Sequence, residues 1–291
     1  MKEVESLNIK PVVERKIYSY KNGGGTWTED QVATEFACTI KVNGEEYTTI
    51  VCTPEYIEEL VIGFLISEKI VVRINDIRSI RVDKKQGTAH VDAVRVNEFH
   101  KKFFAKRYIT SCCGKGRTGF YFLNDARTAK VFNQYSLSIS IDDCFHMMKQ
   151  LQESAVMFHQ TGGVHNAALC DQDGLVVSRM DIGRHNAIDK IYGYCLKNNL
   201  SLVDKVLVFS GRISSEILIK CAKVGCEILI SKSAPTQLAL DLAEDLGITT
   251  VGFVRGESLN IYTHAGRIKG IEMDEMPQEI TENLEDCYLG S

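Results

Sequence analysis

From about residue 12 to residue 52, apolar and polar positions alternate as they do in β-strands. The runs Glu35-Phe36-Ala37-Cys38-Thr39-Ile40-Lys41-Val42 and Glu46-Tyr47-Thr48-Thr49-Ile50-Val51-Cys52 flank Asn43-Gly44, a dipeptide that tolerates positive φ and predicts a hairpin. Thr53-Pro54-Glu55 then predicts a helix start, with a cap, a first-turn proline and an acid at the positive dipole end. Ile57, Leu60, Val61, Phe64 and Leu65 supply its buried stripe. Two β runs follow, Ile77 to Val82 and Thr88 to Val94, so the first part reads as α+β with antiparallel pairing. The pattern weakens between about 100 and 136 and then becomes regular. A helix is expected over roughly 141 to 158, then a β pair, Val164 to Leu169 and Leu175 to Ser178, joined by Asp171-Gln172-Asp173-Gly174. Helix 184–197, strand Val206–Phe209, helix 214–224, strand Glu227–Ile230, helix 235–246 and strand Thr249–Val254 complete the series. Such alternation predicts a mainly parallel sheet sandwiched by helices. The expected division is residues 1–136, residues 137–271 and a tail, 272–291.

Composition narrows this picture. The 291 residues can bury a core without disulfides or metals. A net charge of -4 and a pI near 6.0 give no global basic field for nucleic acid. No apolar run approaches the ~20 residues that span a bilayer, and Met1-Lys2-Glu3-Val4-Glu5 carries acids where a signal peptide would be apolar. The ten cysteines are scattered, which favours reduced thiols in the cytoplasm. With no C-x-x-C, a ribbon-type zinc site is not expected. Beyond Lys269 the chain has no Lys or Arg, and its acids make the tail acidic.

Three junctions in the second half hand an apolar run to a helix through small and cationic residues: Asp181-Ile182-Gly183-Arg184-His185-Asn186, Ser210-Gly211-Arg212-Ile213-Ser214-Ser215 and Ser231-Lys232-Ser233-Ala234-Pro235-Thr236. Free backbone N–H groups beside a cation are the chemistry of an anion or phosphate site, and three of them predict one shared crevice. Arg212 is placed to fork onto a phosphate while Ser214 or Ser215 caps the helix. Phe253-Val254-Arg255-Gly256-Glu257-Ser258 closes the last strand of the series at the same expected edge. His165, within Thr161-Gly162-Gly163-Val164-His165-Asn166, reads equally as a ligand contact and as a hydrogen-bonded strand-edge histidine. His185 sits at a helix start beside Arg184, where the dipole favours a neutral imidazole. Asp189 and Lys190 are expected to be a surface pair. Outside this half, Thr110-Ser111-Cys112-Cys113-Gly114-Lys115-Gly116-Arg117 forms a glycine-rich basic loop. Lys115 and Arg117 favour the ionised thiol at Cys112 or Cys113, the form that acts as nucleophile or sulfur carrier.

Together these blocks resemble the FdhD family (FdhD/NarQ), the accessory sulfurtransferases of formate dehydrogenase. The matching stretches are Thr161 to Leu169, Asp181 to Lys190, Ser210 to Arg212, Ser231 to Thr236 and Gly252 to Tyr262. The resemblance implies a carboxyl half with the three-layer α/β/α cytidine-deaminase-like fold. It also implies a sulfur carrier that takes persulfide sulfur from a cysteine desulfurase. That sulfur passes to the bis-guanylyl molybdenum cofactor before the cofactor enters the formate dehydrogenase catalytic subunit. Catalysis then falls to Cys112 or Cys113. The cofactor, or a GDP- or GMP-like mimic, falls to Phe253, Val254, Arg255, Gly256, Glu257, Ser258, His165, Arg184, His185, Asn186, Ser210, Gly211, Arg212, Ser214 and Ser233. A homodimer is implied, with neither nucleic acid nor membrane as partner. The family loop reads Ser-Cys-Gly-x-Cys-Gly; here Cys113 replaces the first glycine and Lys115 the second cysteine. The deaminase glutamate and metal cysteines are absent from His185-Asn186-Ala187 and from Ser210 to Ser215, so neither zinc-hydroxide chemistry nor a structural metal is expected. The alternative is a non-catalytic binding chaperone for the same cofactor or guanine nucleotide.

Overall fold

The structure, a computed structural model, describes residues 9–97, 107–109, 129–133 and 135–271. The cysteine loop and the acidic tail lie outside them. The chain opens with a two-stranded antiparallel ribbon, β1 (Val12–Lys21) and β2 (Gly24–Ala33), whose outer part exposes Tyr18, Tyr20 and Trp27. β3 (Phe36–Val42) and β4 (Glu45–Cys52) form the hairpin expected at Asn43-Gly44, where both residues take positive φ. α1 (Ile57–Ser67) covers them, and β5 (Ile77–Asp83), β6 (Thr88–Ala93) and β7 (Arg107–Ile109) complete a sheet in the order β5-β6-β3-β4-β7. Antiparallel pairing was expected throughout. The sheet is instead mixed, because β6 joins β3 and β7 joins β4 in parallel.

The second half builds β8 (Ile139–Ser140), α2 (Ile141–Glu153), α3 (Val156–Thr161), β9 (His165–Asp171), β10 (Gly174–Asp181), α4 (Arg184–Lys197), β11 (Val206–Phe209), α5 (Ser215–Val224), β12 (Ile228–Ser231), α6 (Gln237–Leu246), β13 (Thr249–Arg255), β14 (Ser258–Thr263) and β15 (Ile268–Lys269). Six strands run in the order β10-β9-β11-β12-β13-β14. Only β11-β12 and β12-β13 pair in parallel; the three outer pairings are antiparallel, which corrects the mainly parallel expectation. Alternate residues sort onto two faces. Ala167, Leu169, Leu207, Phe209 and Leu229 pack under α4, α5 and α6. Ala168, Cys170, Val206, Val208, Ile228 and Ile230 pack under α2. Helix, sheet and helix are therefore three layers.

Local chemistry explains the departures. α2 starts with a reciprocal cap, Ser140 Oγ accepting from Asp143 N at 3.1 Å and Asp143 Oδ2 accepting from Ser140 N at 2.7 Å. The single helix expected to run to 158 breaks after Glu153. The Leu151 carbonyl is taken by Asn166 Nδ2 at 2.7 Å and Ser154 Oγ at 2.9 Å, and Ala155 N turns to Gln152 O instead. α1 begins at Ile57, after Tyr56 in the left-handed region, and Thr53 is no cap; its side chain is used elsewhere, as shown below. α1 and α4 cross closely: a Cβ on Gly63 would overlap the Asp189 carbonyl and one on Gly193 the Glu59 carbonyl. Among the described residues no helix is long and apolar enough to cross a membrane.

Candidate functional site

Parallel strands end where the following helices begin, so the ends of β11, β12 and β13 share one edge. β9 runs antiparallel to β11, which brings its first residue, His165, to the same edge. Hydrogen bonds join the turns. Ser210 Oγ accepts from Asn166 N at 2.9 Å, and Ser210 N donates to Asn166 O at 2.9 Å. Ser231 Oγ donates to Gly211 O at 2.6 Å, and Ser233 Oγ reaches Ser210 O at 3.4 Å. Phe253 N donates to Ser233 O at 3.2 Å, and Arg255 Nε to Lys232 O at 3.1 Å. The separately predicted junctions thus meet in space. Gly211 is required there: a Cβ would stand 2.9 Å from the Phe209 ring and 3.4 Å from His165 Nδ1.

The edge is cationic and holds unpartnered polar atoms. It gathers Arg184, Arg212, Lys232 and Arg255, of which Arg212 and Arg255 are exposed. Arg184 Nε and Ser214 Oγ are buried without a hydrogen-bond partner among the described residues. Leaving such an atom unsatisfied costs about 1–3 kcal/mol, so the two are the sharpest unmet polar demand at this edge. His185 Nε2 stands 3.0 Å from Glu216 Oε2 and has no hydrogen-bond partner among the described residues. His165 stacks on Phe209, with ring centroids 6.4 Å apart. Burial first, and the Arg184 guanidinium second, push its imidazole below the ordinary histidine range. Phe253 holds a φ of 53° at a break in the β13–β14 register. Such strain in a non-glycine residue costs on the order of 1–3 kcal/mol and gathers at functional sites. Its ring is partly exposed under the Arg255 guanidinium, 5.7 Å away.

Some expectations need correction. Val254 is fully buried in the core that α2 covers, leaving only its backbone to a ligand. Asn186 spends its side chain inward, Nδ2 donating to Asp181 Oδ1 at 2.8 Å and to Val51 O at 2.9 Å. Ser214 does not cap its helix through the side chain. Asp189 and Lys190 are buried and belong to different networks. Lys190 Nζ meets Asp181 Oδ2 at 2.6 Å, while Asp189 Oδ1 meets Lys220 Nζ at 2.6 Å and Ser67 Oγ at 3.1 Å. Gly256, Glu257 and Ser258 turn from β13 into β14 and are exposed. Residues missed by sequence reasoning are Asn166, Ser231, Thr53 and Asp181; the Asp181-x-Gly183 spacing of a side-chain turn was the available signal for the last.

Cys112 and Cys113 lie outside the described residues. All seven described cysteines are buried. Burial pushes the Cys38, Cys144, Cys170 and Cys195 thiols up to about 12, and those of Cys52, Cys221 and Cys226 are also raised. None of these is a thiolate near neutral pH.

A crystal structure assigned as a formate dehydrogenase accessory protein from Desulfotalea psychrophila has the same fold, with a TM-score of 0.72 at 24% identity over 89% of this chain and 100% of that one. The sequence model of the FdhD/NarQ family matches residues 33–269, and the chain belongs to that family. Relatives named sulfur carrier protein FdhD include one from Bacillus pumilus, 56% identical over 89% of this chain and 99% of its own length. Another, from Bacillus subtilis, is 50% identical over 90% of this chain and all of its own length.

Proposed function

We propose that this chain is a cytoplasmic sulfur carrier that passes persulfide sulfur from a cysteine desulfurase to the bis-guanylyl molybdenum cofactor serving formate dehydrogenase. The thiolate of Cys112 or Cys113 attacks the outer sulfur of the donor persulfide. One S–S bond forms, another breaks, and the desulfurase thiolate leaves, with no net oxidation. Lys115 and Arg117 hold the attacking sulfur ionised. The observation that carries this reading is the exclusion of the buried thiols. Of ten cysteines, the seven described are buried with raised pKa, which leaves Cys112, Cys113 and Cys287, and only the first two stand in a basic glycine loop. The relatives' name agrees with it. The client cofactor is cargo here. Its guanosine phosphates suit the exposed Arg212 and Arg255 and, behind them, the buried unpartnered Arg184 Nε and Ser214 Oγ. Phe253 offers a ring face to a guanine base.

Persulfide-specific labelling after incubation with desulfurase and cysteine tests the proposal. The wild type gains label and the Cys112→Ala/Cys113→Ala variant does not; equal labelling of the two removes the loop from the chemistry. A second reading, delivery of the cofactor without sulfur transfer, is favoured by the cationic edge and its unpartnered polar atoms alone, since they need no thiol. It predicts that the same double variant still supports formate dehydrogenase activity. A homodimer is part of the proposal and is read by light scattering.

A further inference from the structure

We infer that Asp181 is a positioning residue for this edge, acting through a buried carboxylate that joins β10, the first turn of α4 and the end of β4. The inference rests on the reading of the edge as an anion site. Asp181 Oδ1 accepts from Gly183 N at 2.8 Å and from Asn186 Nδ2 at 2.8 Å. These bonds fold the chain into a side-chain turn and set Gly183 immediately before the helix, so that Arg184 and His185 occupy its first turn. Gly183 has no room for a side chain, since a Cβ would stand 2.6 Å from Asn186 Nδ2. Oδ2 accepts from Thr53 N at 3.0 Å and Thr53 Oγ1 at 3.2 Å, and it meets Lys190 Nζ at 2.6 Å. Lys190 spends its other two ammonium protons on Thr53 Oγ1 at 2.6 Å and Met180 O at 3.1 Å. Both charged side chains are wholly excluded from water.

α4 is therefore held at Asn186 and again at Lys190, one turn apart, by the same carboxylate. It cannot slide or rotate without breaking one contact or the other. That fixes the direction in which Arg184 and His185 enter the edge, and it ties the edge to the N-terminal sheet through Thr53 and through Asn186 to Val51. A second buried pair gives the comparison. Arg267 Nε meets Glu227 Oε2 at 2.7 Å at the starts of β12 and β13, the opposite edge of the same sheet, where it holds no site turn.

The test sets Asp181→Asn/Lys190→Met against Glu227→Gln/Arg267→Met, each removing a buried pair at similar volume. GDP affinity is read by calorimetry, and hydrogen exchange of residues 182–187 by mass spectrometry. Asp181→Asn/Lys190→Met is expected to bind GDP about tenfold more weakly than wild type, with faster exchange in 182–187. Glu227→Gln/Arg267→Met is expected to bind GDP as the wild type does, whatever stability it loses. Equal loss of affinity in both variants, or unchanged affinity in the first, overturns the inference. If the wild type itself does not bind GDP, the anion-site reading fails; exchange then decides the role of Asp181, with unchanged protection of 182–187 overturning it and faster exchange supporting it.

Discussion

His165 shows how burial and one neighbour set a side chain's chemistry. Its folded-state pKa is depressed, first by burial and then by Arg184. Below the ordinary histidine value of about 6.5, the unfolded chain binds a proton that the native chain resists. The neutral ring therefore contributes stability that is present above that pH and is lost as pH falls toward the folded value. Replacing Arg184 with Gln removes a repelling cation, so an NMR titration of the His165 ring should show its pKa rising; an unchanged or lower value contradicts the assignment. The thiols make a parallel case. Iodoacetamide at pH 8 should leave the seven described cysteines of the native protein unmodified, and mass spectrometric detection of label at any of them would refute the assigned burial. The buried cysteines were legible as core because they sit in apolar runs. Asp181 was not, because its partners Thr53 and Lys190 lie 128 residues before it and nine after it, and only the fold brings them together.

Elements with strong local signals were read nearly to the residue. Helix 184–197 and strand Val206–Phe209 coincide with α4 and β11. The break between α2 and α3 was not readable locally, since Asn166 of the next strand takes the Leu151 carbonyl. Nor did Thr53-Pro54 reveal its role, because a threonine suited to capping a helix is equally suited to a buried carboxylate. The α1–α4 crossing was hidden as well: a glycine inside a helical pattern does not name the element that packs on it, whereas here each admits a facing carbonyl. Gly63→Ala and Gly193→Ala should each destabilise the protein by about 1–3 kcal/mol or more in urea unfolding, through overpacking. Stabilisation by the better helix former would show that the helices stand farther apart.

Across the whole molecule, the two sheets are joined by a glycine-mediated helix crossing and by buried charge. Lys190→Met alone leaves Asp181 unpaired in a water-free site, which should cost on the order of 3–5 kcal/mol. Adding Asp181→Asn should restore part of that loss in chemical denaturation, and purely additive losses would deny the coupling. The four turns of the candidate site were legible as motifs, and their shared edge followed from strand–helix alternation. The antiparallel flanks of the sheet were underweighted, although Asp173-Gly174 and Arg255-Gly256 carry hairpin turns there. The most direct measurement is a crystal structure of the protein with GDP. Its diphosphate is predicted to lie between the starts of α4 and α5, against Arg184 Nε and Ser214 Oγ, with Phe253 and Arg255 along its other side. A nucleotide seated instead in the cavity lined by Val131, Tyr135, Glu244 and His264, with the β11–β13 edge empty, would contradict the account.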